Sequence, residues 1–234
     1  FGYDAGLALL AGSKNVIIGR DAGKTMTNTD SCVIIGESAG ALLATNSQVI
    51  IGGNAGDKHA GWGNSVVIGP QAGRWGIAGV NGVSIGFNAQ SGSASTTGNH
   101  YNTAIGSSTI EMITTGQSLT ALGYNSGQWV TVATYSTYLG SESGKYRNDG
   151  DYNTYVGHRA GRGPATNAGD GNYNVAVGSE ALYSATTAQK VTAVGAQAGY
   201  STTSATGFTL MGYKAGYALT TSTESTFIGF EAGK

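Results

Sequence analysis

The stretch Val16-Ile17-Ile18-Gly19-Arg20-Asp21-Ala22-Gly23-Lys24-Thr25 opens as an apolar strand and closes on Gly-Lys-Thr, the ending of a phosphate-binding loop. Such a loop needs four residues between its first glycine and the Gly-Lys-Ser/Thr so that successive N–H groups can curl around phosphates. Only Arg20, Asp21 and Ala22 stand there, and no helix-forming run follows Thr25. The same words instead return as Val33-Ile34-Ile35-Gly36, Val49-Ile50-Ile51-Gly52 and Val66-Val67-Ile68-Gly69. The glycine that closes each triplet recurs with a regular short period through Gly229, with longer units only at Ser91 to Asn102 and Arg162 to Asn174. A unit this short cannot bury an apolar face alone, so the units must stack. Gly19 to Gly23 is therefore a corner of a coil, and Lys24 is a loop lysine.

The columns of the repeat suggest what each position faces. The residue before the glycine is always apolar, and the residue three before it is valine or threonine in every unit from Val16 to Thr226. β-Branched residues favour strands, and positions two apart share a strand face. These two columns are expected to line the interior. The middle column is then left outside, yet it holds Ile17, Ile34, Ile50, Val67, Tyr138, Tyr155, Leu210 and Phe227. An apolar ridge of that length needs cover, which makes those eight residues candidates for a subunit interface. A threonine ladder from Thr103 to Thr226, of the kind an ice lattice could meet, falls on the expected interior and is set aside for that reason. After the glycine come two variable positions, a small residue and, in most units, a second glycine, with Gln90, Ile110 and Leu182 as exceptions. That combination reads as a tight turn.

The expected fold is all-β: a parallel β-roll or β-solenoid of about 14 coils, each with two short strands, forming a single repeat domain over residues 1–234. A triple β-spiral-like fibre is the alternative. The chain opens and closes mid-repeat, as a piece of a longer fibre chain would. Lys+Arg 12 against Asp+Glu 13, a net charge of −1 and 11% charged residues give no electrostatic case for nucleic acid. No apolar run reaches the roughly 20 residues of a membrane helix, so no membrane insertion is expected in this segment. Cys32 is the single cysteine and can form no intrachain disulfide.

Asn64-Ser65-Val66-Val67-Ile68-Gly69-Pro70-Gln71-Ala72 resembles the head repeat of YadA-type trimeric autotransporter adhesins, an N-S-V-A-I-G-x-x-S pattern. Units such as Asn102-Thr103-Ala104-Ile105-Gly106 resemble repeats of phage tail fibre proteins. The likeness spans essentially the whole chain, although this repeat is longer than that of the adhesin heads. It implies a left-handed roll, a homotrimer, a location on a virion tail fibre or cell surface, and a host polysaccharide or protein receptor.

Receptor contacts are expected from aromatic residues in the variable half of each unit: Trp62, Trp75, Tyr101, Trp129, Tyr146 and Tyr173. Their rings suit sugar stacking, with packing between coils or chains as the plainer role. Asn148-Asp149-Gly150-Asp151 and Gly169-Asp170-Gly171-Asn172 could offer oxygens to Ca2+, but turn chemistry explains them equally and neither has EF-hand spacing. His59, His100 and His158 are isolated, and Glu142, Glu180 and Glu231 share one turn column rather than a converging pair. Neither an enzyme nor a cofactor is expected.

Overall fold

The computed structural model describes residues 1–58, 63–75, 81–92, 100–165, 171–221 and 223–234. The chain divides into two compact units, Phe1–Ser118 and Leu119–Lys234. The first carries strands β1 (Val16–Ile18), β2 (Val33–Ile35), β3 (Val49–Ile51), β4 (Val66–Ile68), β5 (Val83–Ile85) and β6 (Thr103–Ile105). The second carries β7 (Thr120–Leu122), β8 (Thr137–Leu139), β9 (Thr154–Val156), β10 (Val175–Val177), β11 (Thr192–Val194), β12 (Thr209–Met211) and β13 (Thr226–Ile228). Within each unit every strand pairs in parallel with the next in sequence, one per coil, so the fold is a β-solenoid. The register joins equivalent repeat positions, as in Ile34 with Ile50 or Tyr138 with Tyr155. Both longer units keep it, since Val83 still faces Thr103 and Thr154 still faces Val175. The extra residues are absorbed outside the strands.

Each coil has, among the described residues, one three-residue strand, not two. Among the described residues the variable half is built of turns, with isolated parallel bridges joining Gln189 to Thr206 and Thr206 to Thr223. The reason lies in the backbone: left-handed residues recur five before the triplet glycine, two after it and four after it, as at Tyr135, Glu142 and Gly144. Three such corners in every coil leave little length for a second strand.

The interior is the reverse of the one expected. Ile34, Ile50, Val67, Tyr138, Tyr155 and Leu210 are buried within their own chain, while Ile17 and Phe227, in the terminal strands, face the same way and are half-buried. These eight residues are core, not a subunit interface. Strand alternation places the two flanking columns on one common face, but that face is outside: Val16 is 46% exposed and Ile18 42%. The small residue and second glycine after each triplet pack against the middle column and close the inside. A Cβ on Gly161 would lie 2.5 Å from the Tyr155 ring, and one on Gly40 3.1 Å from Ile50.

Size compensation between these two columns explains the repeat's exceptions. Where the middle residue is small (Ser84, Ala104 or Ala176), the corner six residues later is Gln90, Ile110 or Leu182, all buried. Where it is large, the corner is glycine. Ala121 and Ala193 follow neither rule because neighbouring coils fill their space: a Cβ on Gly127 would meet Tyr138 at 2.9 Å, and one on Gly199 would meet Leu210 at 2.7 Å and Leu182 at 2.9 Å. Filling that space outweighs the strain of left-handed Ile110 (φ 44°) and Leu182 (φ 51°).

Polar groups inside the coil form ladders as well. The buried Asn174 donates from Nδ2 to the Ala188 carbonyl (2.7 Å), and its Oδ1 accepts from the Val191 N–H (3.0 Å). Asn153 does the same with Gly171 (2.7 Å) and the Asn174 N–H (2.9 Å). One side chain thus satisfies two backbone groups of the next coil at a corner where the strand ladder has ended.

Candidate functional site

What the coils present outward is a set of columns, each repeating once per coil. On the sheet face of the first unit, valine and isoleucine flank the inward middle residue from β1 to β5, giving two parallel apolar rows. In the second unit the first row is threonine in every strand except β10, and the other is Leu122, Leu139, Val156, Val177, Val194, Met211 and Ile228. Leu122, Met211 and Ile228 are 42, 44 and 66% exposed. The threonine ladder therefore points outward, which corrects the interior placement expected from the sequence and removes the objection built on it.

The aromatic candidates separate by unit. Trp62 and His59 lie outside the described residues. In the first unit Trp75 is half-buried under the Arg74 guanidinium, 5.4 Å from its ring, and Arg74 Nε lies 3.4 Å from the buried Asp57 carboxylate. Burial pushes the Asp57 carboxyl up, with Arg74 and Lys58 opposing it. Tyr101, 59% exposed, stands beside His100 at 6.1 Å between centroids. In the second unit Trp129 and Tyr146 come together at 6.5 Å, and Tyr173 stacks on Tyr152 at 4.9 Å with a 2° tilt.

Sequence reasoning missed that Tyr173 is the end of a row. Tyr135, Tyr152 and Tyr173 each stand five residues before a triplet glycine, and Tyr183, Tyr200 and Tyr217 five after one; both sets are stacked ladders. The constant offset was the available signal. Rings stacked along a ladder spend their faces on one another, so they offer the surface mainly edges and hydroxyls.

Between these rows, two residues after the glycine, runs a charged column. Glu142 is 16% exposed in its side chain and gathers Arg159 Nε at 2.9 Å, Lys145 Nζ at 3.2 Å and Arg162 Nε at 3.3 Å. Arg162 also lies over the rings of Tyr146 (4.7 Å) and Tyr183 (5.3 Å) and donates to the Tyr183 hydroxyl. Arg159 separates Glu142 from Glu180, and Gln197 donates to Glu180 at 2.9 Å, so cation and amide stand between the carboxylates. Charged groups and a tyrosine hydroxyl are thus held at one-coil spacing along the second unit. Burial pushes the Glu142 carboxyl up, but Arg159 and Lys145 outweigh it and hold it below its ordinary value of 4.5. A depressed value contributes stability that is present above pH 4.5 and lost as the pH falls through the folded value. Glu142→Gln is expected to cost about 1.5–3 kcal/mol at pH 7, from unpaired Arg159, Lys145 and Arg162, and to flatten the acid limb. Denaturant midpoints of both proteins from pH 7 to pH 3 test this.

The acidic turns hold backbone and hydroxyls. Asp151 Oδ1 accepts from the N–H (2.7 Å) and Oγ1 (2.8 Å) of Thr134, and Thr131 Oγ1 donates to Asn148 Oδ1 at 2.6 Å. Gly169 and Asp170 lie outside the described residues, while Asn172 Oδ1 accepts from the Asp151 N–H. Among the described residues no three His, Cys, Asp or Glu side chains converge as metal ligands, and no helix is long and apolar enough to cross a membrane.

Fold and surface together define a β-solenoid repeat protein whose outward positions recur once per coil. No protein-family model, curated protein or solved structure matches the chain.

Proposed function

We propose that this chain is a segment of an extracellular fibre, of the phage tail fibre kind, in which three copies pack side by side through their sheet faces and the aromatic and charged ladders meet a host-surface polysaccharide or protein. The observation that carries the reading is the outward pair of apolar rows, continuous from β1 to β5. A continuous apolar strip exceeds what a soluble monomer leaves to water. Another copy of the chain is the fitting cover, because only a partner with the same coil spacing can seat its side chains between these rows along their whole length. The number three follows from the resemblance to trimeric fibre repeats, and an adhesin head or a shaft without receptor contacts shares the same packing.

Light scattering is expected to give about three times the 23.6 kDa chain mass. Ile51→Glu with Ile68→Glu, on the outward row, is expected to give the single-chain mass with unchanged far-ultraviolet circular dichroism. A wild-type monomer at micromolar concentration rejects the fibre reading. Binding to a glycan array that weakens in Trp129→Ala and Tyr101→Ala separates a receptor-binding segment from a shaft. The outward threonine ladder of the second unit favours one other reading, an ice-ordering face, which a monomer with thermal hysteresis would support.

A further inference from the structure

Three tyrosine stacks differ in access and in how closely their rings lie. Tyr135, Tyr152 and Tyr173 are 59, 47 and 55% exposed, with centroids 5.2 and 4.9 Å apart and tilts of 14° and 2°. Tyr183, Tyr200 and Tyr217 stack as closely, but the Tyr183 hydroxyl accepts a hydrogen bond from Arg162 Nη1 at 3.2 Å and the same guanidinium overlies its ring. Tyr138 and Tyr155 stack at 5.8 Å with no exposure at all.

We propose that Tyr152 and Tyr173 form an oxidative cross-linking site, where a one-electron oxidant of the haem peroxidase and hydrogen peroxide class joins the two rings as dityrosine and ties successive coils covalently. Each phenol gives one electron to the oxidant and one proton to water. The two phenoxyl radicals couple through ortho carbons, forming one C–C bond, and the two ortho hydrogens move to the phenol oxygens as the rings regain aromaticity. The pair loses two hydrogen atoms in all, and one hydrogen peroxide is reduced to two waters. Both partners must be oxidised and adjacent, which the outward ladder satisfies: both residues are about half exposed and the rings already stack at 4.9 Å. Tyr135 and Tyr152 meet both conditions less closely, at 5.2 Å and a 14° tilt, and Tyr200 and Tyr217 are half-buried. At Tyr183 the Arg162 charge opposes electron removal, and at Tyr138 burial holds the proton on, raising the phenol above its ordinary value.

The link closes one full coil of chain, from Tyr152 round to Tyr173, so it removes freedom from the unfolded state and stabilises the second unit. Tyr173 is also a candidate receptor contact, but the link is read on the isolated chain and depends neither on a bound receptor nor on the number of copies in the fibre. Oxidation of the intact chain by horseradish peroxidase and hydrogen peroxide, followed by peptide mass spectrometry, is the test. The expected product is a Tyr152–Tyr173 linked peptide pair lighter by two hydrogens, in protein that still migrates at single-chain mass in denaturing gels, with blue dityrosine fluorescence and a raised denaturation midpoint. Tyr152→Phe keeps the stack but cannot form the radical, and is expected to abolish the link; Tyr138→Phe is expected to leave it intact. Links found only between chains, a yield at Tyr138–Tyr155 equal to that at Tyr152–Tyr173, or persistence of the fluorescence in Tyr152→Phe would each overturn the proposal.

Discussion

Tyr155→Ala is expected to lower the stability of the second unit by about 3–5 kcal/mol, and Gly161→Leu placed in the same chain to restore about half of the loss. The phenol ring is fully buried, so its removal leaves a cavity that the flanking corners cannot close. Arg147, itself buried, rests 5.4 Å from that ring and loses its cover too. Gly161→Leu alone should be at least as damaging, because its Cβ would strike the Tyr155 ring at 2.5 Å. Together the two changes recreate the arrangement of the next coil, where Ala176 stands in the strand and Leu182 at the corner, with the backbone already left-handed there (φ 57° at Gly161, 51° at Leu182). The coupling energy of the double-mutant cycle should therefore favour the pair by more than about 1 kcal/mol. Urea unfolding of the four proteins checks this. A double variant no more stable than Tyr155→Ala would mean that the two columns do not share one volume.

The second large effect is expected at the triplet glycines. Gly52→Ala should cost about 3 kcal/mol or more, whereas Gly53→Ala, one residue on, should change stability by no more than about 0.5 kcal/mol. Gly52 has φ 135°, a region that side chains rarely enter, and its Cβ would lie 2.6 Å from the Gly69 carbonyl carbon and oxygen. The obstacle is backbone of the adjacent coil, held by the Gly69 N–H to Ile51 carbonyl bond at 2.7 Å, so no rotamer change relieves it. Around Gly53 a Cβ meets nothing within 4 Å. Thermal unfolding of the two variants is the comparison, and equal losses would show that the triplet glycine is not a steric requirement of the stack.

Several parts of this fold are readable residue by residue. The period, the strand at each Val/Thr-x-aliphatic triplet and the corner at each small residue with glycine all follow from local chemistry, because β-branching and left-handed backbone act within a few residues. The candidate surface was less legible. Tyr101, Trp129 and Tyr173 are exposed, but the stacks joining Tyr135 to Tyr152 and Tyr183 to Tyr200 arise only when units one coil apart are superposed. The Glu142 hub likewise draws Arg159 and Arg162 from the following coil.

By itself the sequence determined that a short strand stands at each triplet and that these strands stack in parallel and in register, since each triplet repeats the same β-branched, glycine-terminated pattern, but it also suggested a second strand per coil where the described residues form turns. It did not determine which strand face is inside. Ile17 and Ile18 are equally apolar, so alternation alone permits either choice. Only the tertiary packing decided it: the corner residues four after each glycine return to the middle column, and their volume can be conserved only if Ile34, Tyr138 and Tyr155 point inward and the flanking rows face out.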